Sequence, residues 1–261
     1  MRKYICIATL LLYVSSFIRA QEVTEYKKAS FKSGDFILPY RILYPVDYDT
    51  ERSYPLVLFL HGAGERGSDN EKQLVHGSKL FLNAENRMKY PAIVVFPQCP
   101  KEGFWSNVDI RSGSDGTREF DFSPKGNPTA SMQAVLSLLD SLSELAIVDK
   151  DRVYVGGLSM GGMGTFEIVR RKPRLFAAAF PICGGGNPRD AKGYARKVPF
   201  WVFHGAKDDV VPPELSKNMV EALKTNKGDV KFTLYPEANH NSWDAAFAEP
   251  DLLPWIFSNK K

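Results

Sequence analysis

Cysteine is scarce: the chain of 261 residues has three, and one of them, Cys6, lies in the apolar N-terminal segment. The remaining two, Cys99 and Cys183, are too few for a disulfide scaffold. Both follow apolar runs, which suits buried free thiols better than a bridge. Charge of one sign is also missing. The formal net charge is +4, and without the first twenty residues 31 basic side chains would face 30 acidic ones. No basic stripe with interleaved aromatics remains, so nucleic acid is not an expected partner. None of the four histidines stands at metal-ligand spacing from a cysteine or carboxylate, and no phosphate-binding glycine motif occurs. Neither metal nor cofactor is expected. There is no internal repeat, no low-complexity tract and no Pro, Gly or Ser linker that would divide the chain.

Long hydrophobic runs are absent except at the start, where Arg2 and Lys3 precede an apolar stretch from Tyr4 to Val14, followed by Ser15, Ser16 and Ala20. That stretch is short for a bilayer span and reads as a secretory signal peptide, residues 1–20, cleaved after Ala20. The expected mature protein, 21–261, is one domain, secreted or periplasmic, without stable membrane insertion.

What is present is an alternation of short apolar runs with segments of helical period. Strands are expected from Leu56 to Leu60, Ile93 to Phe96, Val153 to Val155, Ala177 to Ile182, Phe200 to Phe203 and Val230 to Tyr235. Several are continuously apolar, as parallel strands covered on both faces are. Helices are expected from Thr129 to Leu145, Gly161 to Arg171 and Pro213 to Lys224, with Val135, Leu138, Leu139 and Leu142 on one face of the first. Phe36 to Tyr44 reads as an antiparallel strand at the sheet edge. This pattern predicts an α/β class fold, a three-layer sandwich with a mostly parallel central sheet. The irregular segment from Gln98 to Pro128 is where substrate selection is expected.

Between an expected strand and helix stands Gly156-Gly157-Leu158-Ser159-Met160-Gly161-Gly162. Glycines two before and two after a serine allow a turn so sharp that the hydroxyl stands clear of the sheet at a helix N-terminus. A serine hydroxyl needs an imidazole to take its proton and a carboxylate to orient that imidazole. His240, in a polar loop after the last expected strand, is the candidate base. His61 and His204 end strands and suit structural hydrogen bonds, and His76 has no evident carboxylate or serine to work with. Asp208 is the candidate acid, with its neighbour Asp209 the alternative. The order Ser159, Asp208, His240 matches neither the chymotrypsin nor the subtilisin order. The candidate oxyanion donors are the backbone N–H groups of Met160 and of Ala63 in His61-Gly62-Ala63-Gly64-Glu65-Arg66-Gly67, with Gly62 and Gly64 close behind. Trp105 either covers a bound acyl or sugar group or closes the long loop onto the core. Trp243 is expected to pack the His240 loop, and Trp255 and Ile256 to belong to the core of a final helix.

These residues resemble the α/β-hydrolase superfamily, and within it the secreted carboxylesterases and so-called predicted peptidases close to the phospholipase/carboxylesterase, feruloyl esterase and acetylxylan esterase families. The resemblance runs from Tyr40-Arg41-Ile42-Leu43-Tyr44-Pro45 through HGAGERG (61–67), PQCP (97–100), GLSMGG (157–162) and HGAKDDVVP (204–212) to HNSWDAAF (240–247). It implies an α/β-hydrolase domain with Ser159, Asp208 and His240 as triad and Ala63 with Met160 as oxyanion donors. It further implies hydrolysis of small-molecule or oligosaccharide esters, acetyl or hydroxycinnamoyl groups on plant polysaccharides. A peptidase or lipid esterase would share the same triad. A carbohydrate-binding protein that has kept the fold without the chemistry is the alternative of another class.

Overall fold

The computed structural model describes residues 25–114, 118–122 and 126–261; the expected signal peptide and Gly116 of the long loop lie outside the described residues. Eight strands form the main sheet: β1 (Lys27–Ser33), β2 (Phe36–Leu43), β3 (Tyr54–Leu60), β4 (Ile93–Pro97), β7 (Val148–Leu158), β8 (Ala178–Ile182), β9 (Phe200–Gly205) and β10 (Val230–Tyr235). They run in the order β1-β2-β4-β3-β7-β8-β9-β10. From β4 to β10 every pairing is parallel, and only β1–β2 and β2–β4 are antiparallel.

The continuous hydrophobicity of β3 follows from its position. Leu56, Leu58 and Leu60 point into one core cluster, and Val57 and Phe59 into the other, so successive side chains bury on opposite faces. The helices are α1 (Ser78–Leu82), α2 (Ala84–Lys89), α3 (Ala130–Ser143), α4 (Met160–Arg171), α5 (Pro213–Thr225), α6 (Trp243–Phe247) and α7 (Leu252–Ser258). Helices α3, α4 and α5 bury their apolar stripes in the first cluster; α1, α6 and α7 bury theirs in the second. The expected α3 face, Val135, Leu138, Leu139 and Leu142, is fully inside. Thr129 caps that helix, its Oγ1 accepting from the Met132 N–H at 3.1 Å. At the other end of the chain Ile256 is buried, and Trp255 packs edge-on against Trp201 at 5.6 Å.

Two features correct the sequence reading. The strand expected at the sheet edge, β2, lies one place inside it, and β1 forms the edge. The sequence of β1, Lys27-Lys28-Ala29-Ser30-Phe31-Lys32-Ser33, is largely exposed, and lysines on an edge strand discourage pairing with a further chain. The long segment after Gln98 also holds a hairpin, β5 (Asp109–Ser112) paired antiparallel with β6 (Arg118–Asp121).

Cys99 and Cys183 are free and buried. Burial pushes the Cys99 thiol up to about 11 against a hydrogen bond to Ser131, and burial, with the Asp208 charge adding to it, raises that of Cys183 further. Dithiobis-nitrobenzoate at pH 8 is therefore expected to titrate neither thiol in folded protein lacking residues 1–20, and both after denaturation in guanidinium. Prompt reaction in the folded state would contradict this packing.

Candidate active site

Ser159 occupies the single residue between the end of β7 and the start of α4, with φ 54° and ψ −116°. A non-glycine residue held there costs about 1–3 kcal/mol. The surrounding structure imposes it: the Ser159 N–H donates to Ile182 O at 2.9 Å, and its carbonyl accepts from Met163 N at 2.9 Å. The flanking glycines are required by contact. A Cβ on Gly157 would sit 2.4 Å from Gly161 O, and one on Gly161 only 1.8 Å from Leu60 O. The tight turn thus lifts the hydroxyl to the N-terminus of α4.

His240 reaches this hydroxyl from the loop after β10. Its Nε2 lies 3.0 Å from Ser159 Oγ and its Nδ1 2.8 Å from Asp208 Oδ2. Asp208 leaves the turn after β9 with its side chain fully buried, whereas Asp209 is exposed. Burial pushes the Asp208 carboxyl up, but hydrogen bonds from His204 and His240 and from the Val211 N–H outweigh this and hold it well below the usual carboxylate range. It is therefore ionised and accepts from Nδ1–H, which leaves Nε2 free to accept the Ser159 proton. The other Asp208 oxygen accepts from the N–H groups of Val210 and Val211, both at 2.9 Å.

His204 is buried, with Nδ1 2.7 Å from Ser216 Oγ and Nε2 2.9 Å from Val211 O. His61 is buried too: its Nε2 accepts from Cys99 N at 2.9 Å and its Nδ1 lies 2.6 Å from Gly62 O. Burial lowers its pKa to about 4, so it stays neutral. Both act as the structural hydrogen-bonding residues that their positions at strand ends suggest.

Ala63 opens a short 3₁₀ turn, Ala63–Glu65, after Gly62, and Met160 opens α4. Neither N–H has a carbonyl one turn earlier in its own helix to bond, and both residues line the cleft in which Ser159 and His240 sit. Arg66 ties the turn down through Nε to Ala63 O at 3.0 Å and Nη1 to Gly103 O at 3.3 Å.

Trp105 does not cover the site. It is fully buried, stands edge-on to His61 at 5.3 Å and donates from Nε1 to His61 O at 3.1 Å. Its indole therefore braces the strand end that carries the 61–67 loop, and its neighbour Phe104 lines the cleft instead. Trp243 does pack the histidine loop, edge-on to His240 at 5.4 Å.

The cleft has a volume of about 290 Å³. Phe104, Ile110, Phe120, Met163 and Val211 supply apolar walls, two of them from the hairpin, whose Arg118 stands at the same cleft. Phe104, Ile110 and Phe120 fall in the 98–128 segment where substrate selection is expected, but none of the five was singled out in the sequence, because no local pattern marks which side chains the fold turns toward the cleft. His76 also needs correction: it lines the cleft, its Nε2 lies 3.7 Å from Glu65 Oε1, and its ring packs on Trp243 at 5.2 Å. Among the described residues, Cys183, Asp208 and His240 come close enough to hold a metal ion. Burial keeps the Cys183 thiol protonated, and the other two are bonded to each other, so the group is a poor fit to a metal.

Residues 45–249 match the sequence profile of the phospholipase/carboxylesterase family. The chain belongs to that family. A thermostable esterase of known structure is 33% identical and superposes with a TM-score of 0.81, covering 92% of this chain and 64% of that one. A probable feruloyl esterase C of Aspergillus niger is 23% identical over 207 residues, 78% of this chain and 67% of the relative. A bifunctional acetylxylan esterase/xylanase of Neocallimastix patriciarum is 35% identical over 101 residues, which is 39% of this chain and 14% of that protein. This family member is thus an esterase of the α/β-hydrolase type, with the hydroxyl, imidazole and carboxylate of Ser159, His240 and Asp208 in one hydrogen-bonded chain.

Proposed function

We propose that the protein is a secreted serine esterase that removes acetyl or hydroxycinnamoyl groups from plant polysaccharides or their oligosaccharides through an acyl-enzyme. Ser159 Oγ attacks the ester carbonyl while its proton passes to His240 Nε2. The N–H groups of Ala63 and Met160 hold the tetrahedral oxyanion. The C–O bond to the sugar alcohol then breaks and Nε2 returns the proton to that oxygen. Water, deprotonated at Nε2, attacks the acyl carbonyl, and Ser159 leaves as the hydroxyl with the acid released. Asp208 stays ionised and stabilises the imidazolium in both halves.

The observation that carries this reading is His240 held between Asp208 and Ser159 at 2.8 and 3.0 Å. The substrate class is supported by the signal-like N-terminus, by feruloyl and acetylxylan esterases among the relatives, and by aromatic and aliphatic walls suited to a planar acyl group.

Hydrolysis of acetylated and feruloylated xylo-oligosaccharides, compared with 4-nitrophenyl octanoate and a peptide amide, tests it. We expect kcat/KM for one of the glycan esters to exceed that for octanoate by about tenfold or more, the size of effect a shaped pocket supplies. A preference for octanoate would make the protein a lipid esterase. Peptide hydrolysis without ester turnover would overturn the esterase reading.

A further inference from the structure

Behind the β5–β6 hairpin lies a second groove, about 350 Å³ in volume, between β6, the turn at Asn187-Pro188-Arg189 and the start of α5. We propose that it is a glycan subsite, holding neutral pyranose units of the chain whose ester is in the Ser159 cleft. This inference rests on the polysaccharide-ester reading above and assigns a place to the sugar part of the substrate.

Phe120 in β6 and Phe122, one residue beyond its end, stack with ring centroids 6.4 Å apart and planes 13° from parallel. Both are half-buried and neither belongs to a core cluster. Their hairpin is otherwise mostly exposed and charged, Asp109-Ile110-Arg111-Ser112 and Arg118-Glu119-Phe120-Asp121. An aromatic pair that serves no core is a platform open to a ligand.

The opposite side offers amides, which both donate and accept as sugar hydroxyls require. Asn187 fixes the walls relative to each other, its Nδ2 donating to Phe122 O at 3.3 Å and its Oδ1 accepting from Arg189 N at 3.0 Å. Asn218 presents an exposed amide from α5. A pyranose has the matching division: an apolar C–H face for the rings and an edge of hydroxyls for the amides. The groove's charged residues, Asp121 and Arg189, are of opposite sign, which favours a neutral sugar over a uronate.

The groove adjoins the candidate active site, since Phe120 lines both. A small cavity next to Phe122 reaches the buried Ser106, whose Oγ has no hydrogen-bond partner among the described residues. That cavity, about 20 Å³ in volume, has room for one water that would link the hydroxyl to the groove.

The test uses Phe122→Ala and Asn218→Ala, neither of which lines the Ser159 cleft, with unesterified xylohexaose as probe. The wild type should bind xylohexaose saturably, and each variant should bind it about tenfold more weakly, as loss of one stacking platform or anchor does. Acetylated xylo-oligosaccharides should lose about the same factor through KM, while 4-nitrophenyl acetate turnover stays within about twofold of the wild type. If the wild type cleaves the acetylated oligosaccharides without binding xylohexaose, or the variants cleave them as well as it does, the subsite is wrong and the esterase reading stands. Turnover of 4-nitrophenyl acetate with no glycan ester cleaved would overturn the polysaccharide reading itself. Should Phe122→Ala not fold, Asn218→Ala, at an exposed helix position, decides alone.

Discussion

Replacing Ser159 by alanine is expected to lower kcat for ester hydrolysis by about 10⁴-fold to 10⁶-fold, and His240→Ala by a similar factor, since the two act as one unit. The Ser159 Oγ to His240 Nε2 distance of 3.0 Å is what makes the effects non-additive: with either partner gone, the other has nothing to exchange a proton with. The double variant should be no slower than the worse single one. Asp208→Asn should cost about 10⁴-fold, because an amide in that place no longer fixes the Nδ1–H tautomer. Asp209→Asn is the contrast, since its side chain is exposed and outside the chain of hydrogen bonds. It should alter the rate less than about twofold. Purified variants assayed on 4-nitrophenyl acetate, with circular dichroism to show that each is folded, check all five expectations.

The second large effect is structural. A Cβ added at Gly161 would lie 1.8 Å from Leu60 O and 2.8 Å from His61 O. Both are backbone atoms at the C-terminal end of β3, so no rotamer change relieves the clash and α4 must move away from the sheet. The cost of such overpacking is about 3 kcal/mol or more, which for a domain of this size lowers Tm by about 6–12 °C. Activity should fall with it, because the movement separates Met160 from the 61–67 loop. Gly193→Ala serves as control: it has open space around its Cβ position and no positive φ, so thermal unfolding should shift by less than about 2 °C.

The parts of this molecule legible in its sequence are those that a local pattern records. The sheet centre was visible because β3 and β4 are buried on both faces and must be apolar throughout. The Ser159 turn was visible because its glycines are demanded by backbone contacts within a few residues and with β3. What stayed hidden depends on tertiary partners. The edge strand β1 has little to bury, so its composition is that of a polar loop. Hairpin β5–β6 is short and charged for the same reason. Trp105 could be a lid or a strut on sequence grounds, and only the carbonyl of His61 beneath its indole decides for the strut. Asp208 and Asp209 differ by one position, and the direction of a turn separates them. Glu65 and His76 meet across two loops, a pairing that no spacing announces.

The central claim is that Ser159 is the nucleophile and His240 its base. A fluorophosphonate probe tests this most directly, with intact mass and peptide mapping as the readout. One adduct per chain, carried by Ser159 and lost in folded His240→Ala, is the predicted result. An ester-hydrolysing protein that takes up no label, or takes it at another residue, would contradict the account.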